Sequence, residues 1–74
     1  MPYFRDEKLI VVFGKNLRKL REMKGISQEE LAHISDLDLT QIGRIERGVT
    51  NTSISIANKL AKSLKIPLKD LFDL

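Results

Sequence analysis

Apolar residues recur along this chain at spacings of three and four, the period of helices that bury one face. Leu9, Val12, Phe13, Leu17 and Leu20 share one side of a first helix expected over about 6–24. Gly25 stops it, because glycine takes positive φ at little cost. Ser27 then offers a hydroxyl N-cap, and Glu30, three residues on, completes a capping box. That places a second helix over about 28–35, with Asp36 and Leu37 as the turn. Asp38 stands as the N-cap of a third helix over about 39–47, which Gly48 terminates. A polar loop, Val49-Thr50-Asn51-Thr52, leads to Ser53, the cap of a fourth helix over about 54–64. The stripe of that helix is Ile56, Ala57, Leu60, Ala61 and Leu64. Pro67 heads a short fifth helix over about 68–73. No stretch alternates like a strand between hairpin turns. The prediction is an all-α fold of five helices.

At 74 residues the chain is expected to be one domain, spanning 1–74. A chain this short buries only about 60% of its unfolded surface, so its core must come from efficient helix packing or a partner chain. It has no cysteine, which excludes disulfides and thiolate metal sites and fits a reducing compartment. The longest apolar run, Leu9-Ile10-Val11-Val12-Phe13, falls far short of the roughly 20 residues of a membrane span. Arg5, Asp6, Glu7 and Lys8 precede it, which is not a signal-peptide layout. A cytoplasmic protein with no membrane partner is expected.

Thirteen Lys and Arg against ten Asp and Glu give a net charge of +3. That supports a nucleic-acid partner only weakly. Five cations (Lys15, Arg18, Lys19, Arg21 and Lys24) and one anion, Glu22, lie within 15–24. A solvated helix face is the preferred reading of such a run.

The segment 28–47 is more restrictive. Leu31 and Ala32 form the inner face of its first helix, and Ile42 and Ile45 that of its second. Two helices crossing at about 90–120° through a short turn need a small residue at their closest approach, and Ala32 supplies it. This leaves Leu39, Thr40, Gly43, Arg44 and Arg47 facing outward.

The strings SQEELA, LDLTQIGRIERG and ISIANKLAKSLKIPLKDLF closely resemble the Cro/repressor-type (XRE) helix-turn-helix family. The resemblance runs from Phe13 to Phe72. Its most specific parts are Ser27-Gln28-Glu29-Glu30-Leu31-Ala32 and Ile45-Glu46-Arg47-Gly48. It implies a five-helix, lambda-repressor-like DNA-binding domain whose helix-turn-helix unit is 28–47. The partner it implies is a double-stranded DNA operator, with the third helix in the major groove.

Carried over residue by residue, the resemblance makes Arg44 the main base reader, since a guanidinium donates two hydrogen bonds to guanine O6 and N7. Thr40 is expected at a base or phosphate, and Leu39 at a thymine methyl. Gly43 stands open between close approach of backbone to DNA and an indifferent exposed position. Gln28, Gln41, Arg47, Thr50 and Asn51 are expected at phosphates, which set register and affinity without reading sequence. Arg21 and Glu46 resemble the family's interhelical ion pair, a structural role preferred over DNA contact for Arg21. Lys15, Arg18 and Lys19 are read as solvated.

The chain departs from the family pattern at Asp36, where the turn usually carries glycine, at Thr52, often proline, and at Pro67, usually a polar cap. The compact form resembles both the controller proteins of restriction-modification systems and stand-alone phage-type regulators; Leu37-Asp38-x-Thr40 and Arg47-Gly48-x-x-Asn51 lean mildly toward the controller group and do not decide between the two.

Ile66, Leu68, Leu71, Phe72 and Leu74 outnumber the apolar residues one short helix should expose. They either close the monomer core or form a dimer interface. The resemblance implies a two-fold homodimer with recognition helices about 34 Å apart. The N-terminal extension through Lys8, with Tyr3 and Phe4, is an alternative element to cross the partner.

Catalytic chemistry finds no foothold. His33 is the sole histidine, the serines have no accompanying base, and Glu29 and Glu30 point apart on a helix. No enzyme activity, metal, cofactor or small-molecule ligand is expected. Two competing readings are an antitoxin that binds a toxin and autoregulates its operon, and a protein-interaction module that reuses the fold.

Overall fold

Three of the four described α-helices start where a side chain satisfies one of the first free amides. In the computed structural model, which describes residues 5–74, the helices are α1 (Glu7–Met23), α2 (Gln28–Ser35), α3 (Leu39–Glu46) and α4 (Ile54–Leu64). The capping box of α2 is complete: Glu30 N–H donates to Ser27 Oγ at 3.0 Å, and Ser27 N–H donates to Glu30 Oε1 at 3.1 Å. Ser53 Oγ accepts from Ile56 N–H at 3.1 Å, and the Asp6 carboxylate accepts from Leu9 N–H at 3.0 Å. Asp38 holds the extended conformation of an N-cap, but its side chain makes no cap bond.

All four helices end alike. Gly25, Asp36, Gly48 and Lys65 take positive φ, and the amide after each reaches back to the carbonyl five residues earlier. Asp36, at φ 55° and ψ 45°, makes the turn between α2 and α3 in the left-handed conformation that usually falls to glycine. Gly48 is needed twice over: its φ is 72°, and a Cβ there would stand 3.0 Å from Val11 Cα.

The fifth expected helix is not an α-helix. Leu68–Phe72 forms a 3-10 helix, so the described residues contain four α-helices, one 3-10 segment and no strand. Pro67 lacks an N–H, and five residues are too few to repay helix nucleation. Contacts with α1 hold the segment instead: Asn16 Nδ2 donates to Leu71 O at 3.1 Å and to Asp73 O at 2.8 Å.

The core joins Phe13 and Leu17 of α1 to Leu31, Ile42, Ile45, Leu60, Leu64 and Leu71. Leu71, expected at a dimer interface, is fully buried and has no surface left for a partner. Ile66 and Leu68 pack partly buried against the same core. Phe72 tilts against Phe13 with ring centroids 5.2 Å apart, whereas Leu74 is 84% exposed. Tyr3 and Phe4 lie outside the described residues. Where α1 crosses α3, Gly14 lets the two backbones meet. A Cβ there would collide with the Ile45 carbonyl oxygen and stand 2.9 Å from that of Glu46.

Candidate nucleic-acid interface

The orientation of α3 follows from its apolar side. Ile42 and Ile45 are sealed in the core, so the opposite face turns outward with Leu39, Thr40, Arg44 and Arg47 exposed. Thr40, Gln41 and Arg44 line one open groove with Asp38 and Thr50. This gathers four of the residues singled out from sequence and adds Asp38. An α3 N-cap whose carboxylate makes no cap bond leaves an acceptor in the same groove as the Arg44 donor. Its position at the helix head was visible in the sequence; the missing cap bond was not.

Asn51 lies elsewhere. It lines a neighbouring cleft with Leu9, Ile10, Phe13, Thr52 and Phe72, and Thr50 borders both.

Gly43 is not exposed as expected, although no core side chain lies within 4 Å of a Cβ built there. It is buried, and what covers it is polar: a Cβ built there would stand 3.1 Å from Arg47 Nη1 and 4.0 Å from Gln28 Oε1. The reason is helical geometry, because a long side chain four residues on lies back over the preceding turn.

Behind the outward face of α3 sits a clamp. Arg21 Nε and Nη2 donate to Glu46 Oε2 and Oε1 at 2.7 and 3.0 Å, a bidentate pair between α1 and α3. Arg21 Nη1 also donates to Ile26 O at 2.8 Å. Both residues are only 8% exposed. The hydrogen bond to Glu46, chiefly, holds the Arg21 guanidinium above its already high ordinary pKa, against the opposing effect of burial.

Gln28 joins this clamp rather than extending into solvent. Its Nε2 donates to Glu46 Oε1 at 2.9 Å, so the first residue of α2 is tied to the last of α3. Sequence spacing gave no sign of that third partner. Around the rim, Lys15 and Lys19 are exposed, and Arg18 pairs with Glu22 at 3.4 Å along α1. His33 is exposed on α2, and no cluster of metal-ligating side chains occurs among the described residues.

Residues 17–71 match the Helix-turn-helix family model. The chain belongs to the helix-turn-helix family. This helix-turn-helix chain is a DNA-binding transcription regulator, and its relatives include control proteins. It is 42% identical over 64 residues to Control protein C.BamHI of Bacillus amyloliquefaciens, covering 85% of this chain and 79% of that protein. It is 43% identical over 61 residues to Control protein C.MunI of a Mycoplasma species, covering 81% and 82%. Among solved structures, it superposes on the restriction-modification controller protein C.AhdI from Aeromonas hydrophila with a TM-score of 0.83. The two are 48% identical, over 85% of this chain and 96% of that one. The helix-turn-helix chain is thus similar to controller proteins both in sequence and in backbone.

Proposed function

We propose that the protein is a homodimeric, sequence-specific regulator of the restriction-modification controller kind, which binds a double-stranded DNA operator through α3. One observation carries the reading: α3 buries Ile42 and Ile45 while presenting Leu39, Thr40 and Arg44 to solvent. A helix of this width fits the major groove of B-form DNA. Arg44 reads a guanine there, Thr40 contacts a base or phosphate, and Leu39 meets a thymine methyl. Gln41, Arg47 and Thr50 contact phosphates around this face, and Asn51 does so from the adjoining loop. Gln28, held by Glu46, presents the first turn of α2 to a phosphate, a favourable place for an anion.

Phe72 and Leu74, with the partly buried Ile66 and Leu68, supply the dimer surface; Leu71 does not. The protein acts in the cytoplasm as one domain, without catalysis, cofactor or small-molecule ligand. No described helix is long and apolar enough to cross a membrane. The control-protein relatives favour operator binding over a toxin partner.

Selection of bound fragments from random duplexes, repeated at two salt concentrations, tests this. The expected product is a two-fold symmetric site whose halves lie one helical turn apart, or about 34 Å. Failure to retain any duplex in dilute salt would refute the proposal.

A further inference from the structure

Gly43 lies inside α3, where glycine weakens a helix relative to alanine. Its φ is not positive, so backbone conformation does not demand it. Helix-to-helix contact does not demand it either. Apart from its chain neighbours, the side chains within 4 Å of a Cβ placed there belong to Arg47 and Gln28. Each brings a polar atom: Nη1 of Arg47 at 3.1 Å and Oε1 of Gln28 at 4.0 Å. Gln28 is held in place by its bond to Glu46, which Arg21 clamps in turn. Its amide oxygen is thereby turned toward the surface on which the guanidinium rests.

We infer that Gly43 is a positioning residue: its missing side chain is the seat that holds the Arg47 guanidinium against α3 beside the first turn of α2, ready to donate to a DNA phosphate. The inference rests on the DNA-binding reading above. Arginine side chains carry many rotamers, and ordering one on binding costs conformational entropy. Arg47 is exposed and its guanidinium is polar enough to wander into water. A seat of bare backbone, bordered by a fixed amide oxygen, keeps it near the duplex before contact. The donor group then meets a phosphodiester oxygen in a charge-assisted hydrogen bond. Gly43 therefore reads no base and acts entirely through Arg47.

The test is a double-mutant cycle on the full chain, with binding to duplex DNA measured across a salt series. Gly43→Ala asks the flexible Arg47 tip to move a few tenths of an ångström. Its binding is expected to stay within about twofold of the parent. Gly43→Leu and Gly43→Met fill the seat. Each is expected to weaken binding about tenfold and to lower the slope of log Kd against log salt by about one, as Arg47→Ala does.

With Arg47→Ala already present, neither filled seat should weaken binding further. An equal extra loss in that background would mean that the new side chain strikes the duplex itself, which overturns the inference. Thermal unfolding at or above the parent separates the binding loss from misfolding, and two filled variants guard against one that fails to fold. In the free protein, ¹⁵N relaxation of the Arg47 Nε–H should report an ordered side chain in the parent and Gly43→Ala, and a mobile one in Gly43→Leu. Equal mobility in all three overturns the seat without reference to DNA. A parent protein that binds no duplex refutes the DNA-binding reading instead, and the relaxation result still decides the seat.

Discussion

Replacing Glu46 by Gln removes the charge that the buried Arg21 guanidinium faces while keeping the shape of the side chain. Arg21 donates twice to Glu46 and once to Ile26 O, and it is 8% exposed. A guanidinium is not deprotonated in proteins, so Arg21 keeps its charge when Glu46 loses its own. The variant therefore leaves a cation buried with a carbonyl and a neutral amide for company. Breaking a buried pair from one side costs about 3–5 kcal/mol. At roughly 0.05–0.15 kcal/mol per residue, the whole domain has only about 4–11 kcal/mol of stability. Glu46→Gln is thus expected to remove about a quarter or more of it, read as a lower urea midpoint with unchanged slope by circular dichroism.

The double variant Arg21→Met/Glu46→Leu sharpens the test. Apolar replacement of both partners is often neutral or favourable, because neither charge then needs desolvating. It should unfold at higher urea than Glu46→Gln alone. A single variant that loses less than about 1 kcal/mol, the value typical of an exposed pair, would refute the argument that burial makes this interaction costly to break.

Gly14→Ala should lose about 2 kcal/mol, since overpacking near the upper end of about 1–3 kcal/mol outweighs a helix-propensity gain of about 1 kcal/mol. Calorimetry should show a fall in Tm of about 8–16 °C, and an unchanged Tm would contradict the backbone contact with α3. Asn16→Ala removes both bonds to the C-terminal segment at a cost of about 1–2 kcal/mol, with faster hydrogen exchange at Leu71 and Phe72 as its signature. Arg44→Ala should cost about 1–3 kcal/mol of binding and relax preference at one base pair; an equal loss on operator and random DNA would remove Arg44 from base reading.

Local chemistry was the most legible part of this fold. The hydroxyls of Ser27 and Ser53 cap α2 and α4 where spacing placed them, and α2 and α4 keep the expected bounds. Asp36 fills its turn in the left-handed conformation. The bond between Arg21 and Glu46 followed from family resemblance, because residues 25 apart carry no local sign of contact. What stayed hidden depends on distant chain segments meeting. Gly14 resembles any glycine within a helix until α3 lies against it, and Asn16 resembles any surface amide until Leu71 and Asp73 arrive. Leu71 looked available because an apolar residue near a terminus does not disclose which side it faces. Gly43 looked exposed for the opposite reason: its cover comes from Arg47 and Gln28, not from the core.

The direct backbone contact at Gly14 constrains how α3 can move. Gly14 places no side chain of its own at that crossing, and Glu46 is hydrogen-bonded to both Arg21 and Gln28. Tilting α3 by itself would drive its carbonyls into α1 or pull those hydrogen bonds apart. The surface that α3 offers would then travel with the rest of the domain as one body. Accommodation of an imperfect target would then fall to movement of the whole domain and to the flexible ends of long side chains.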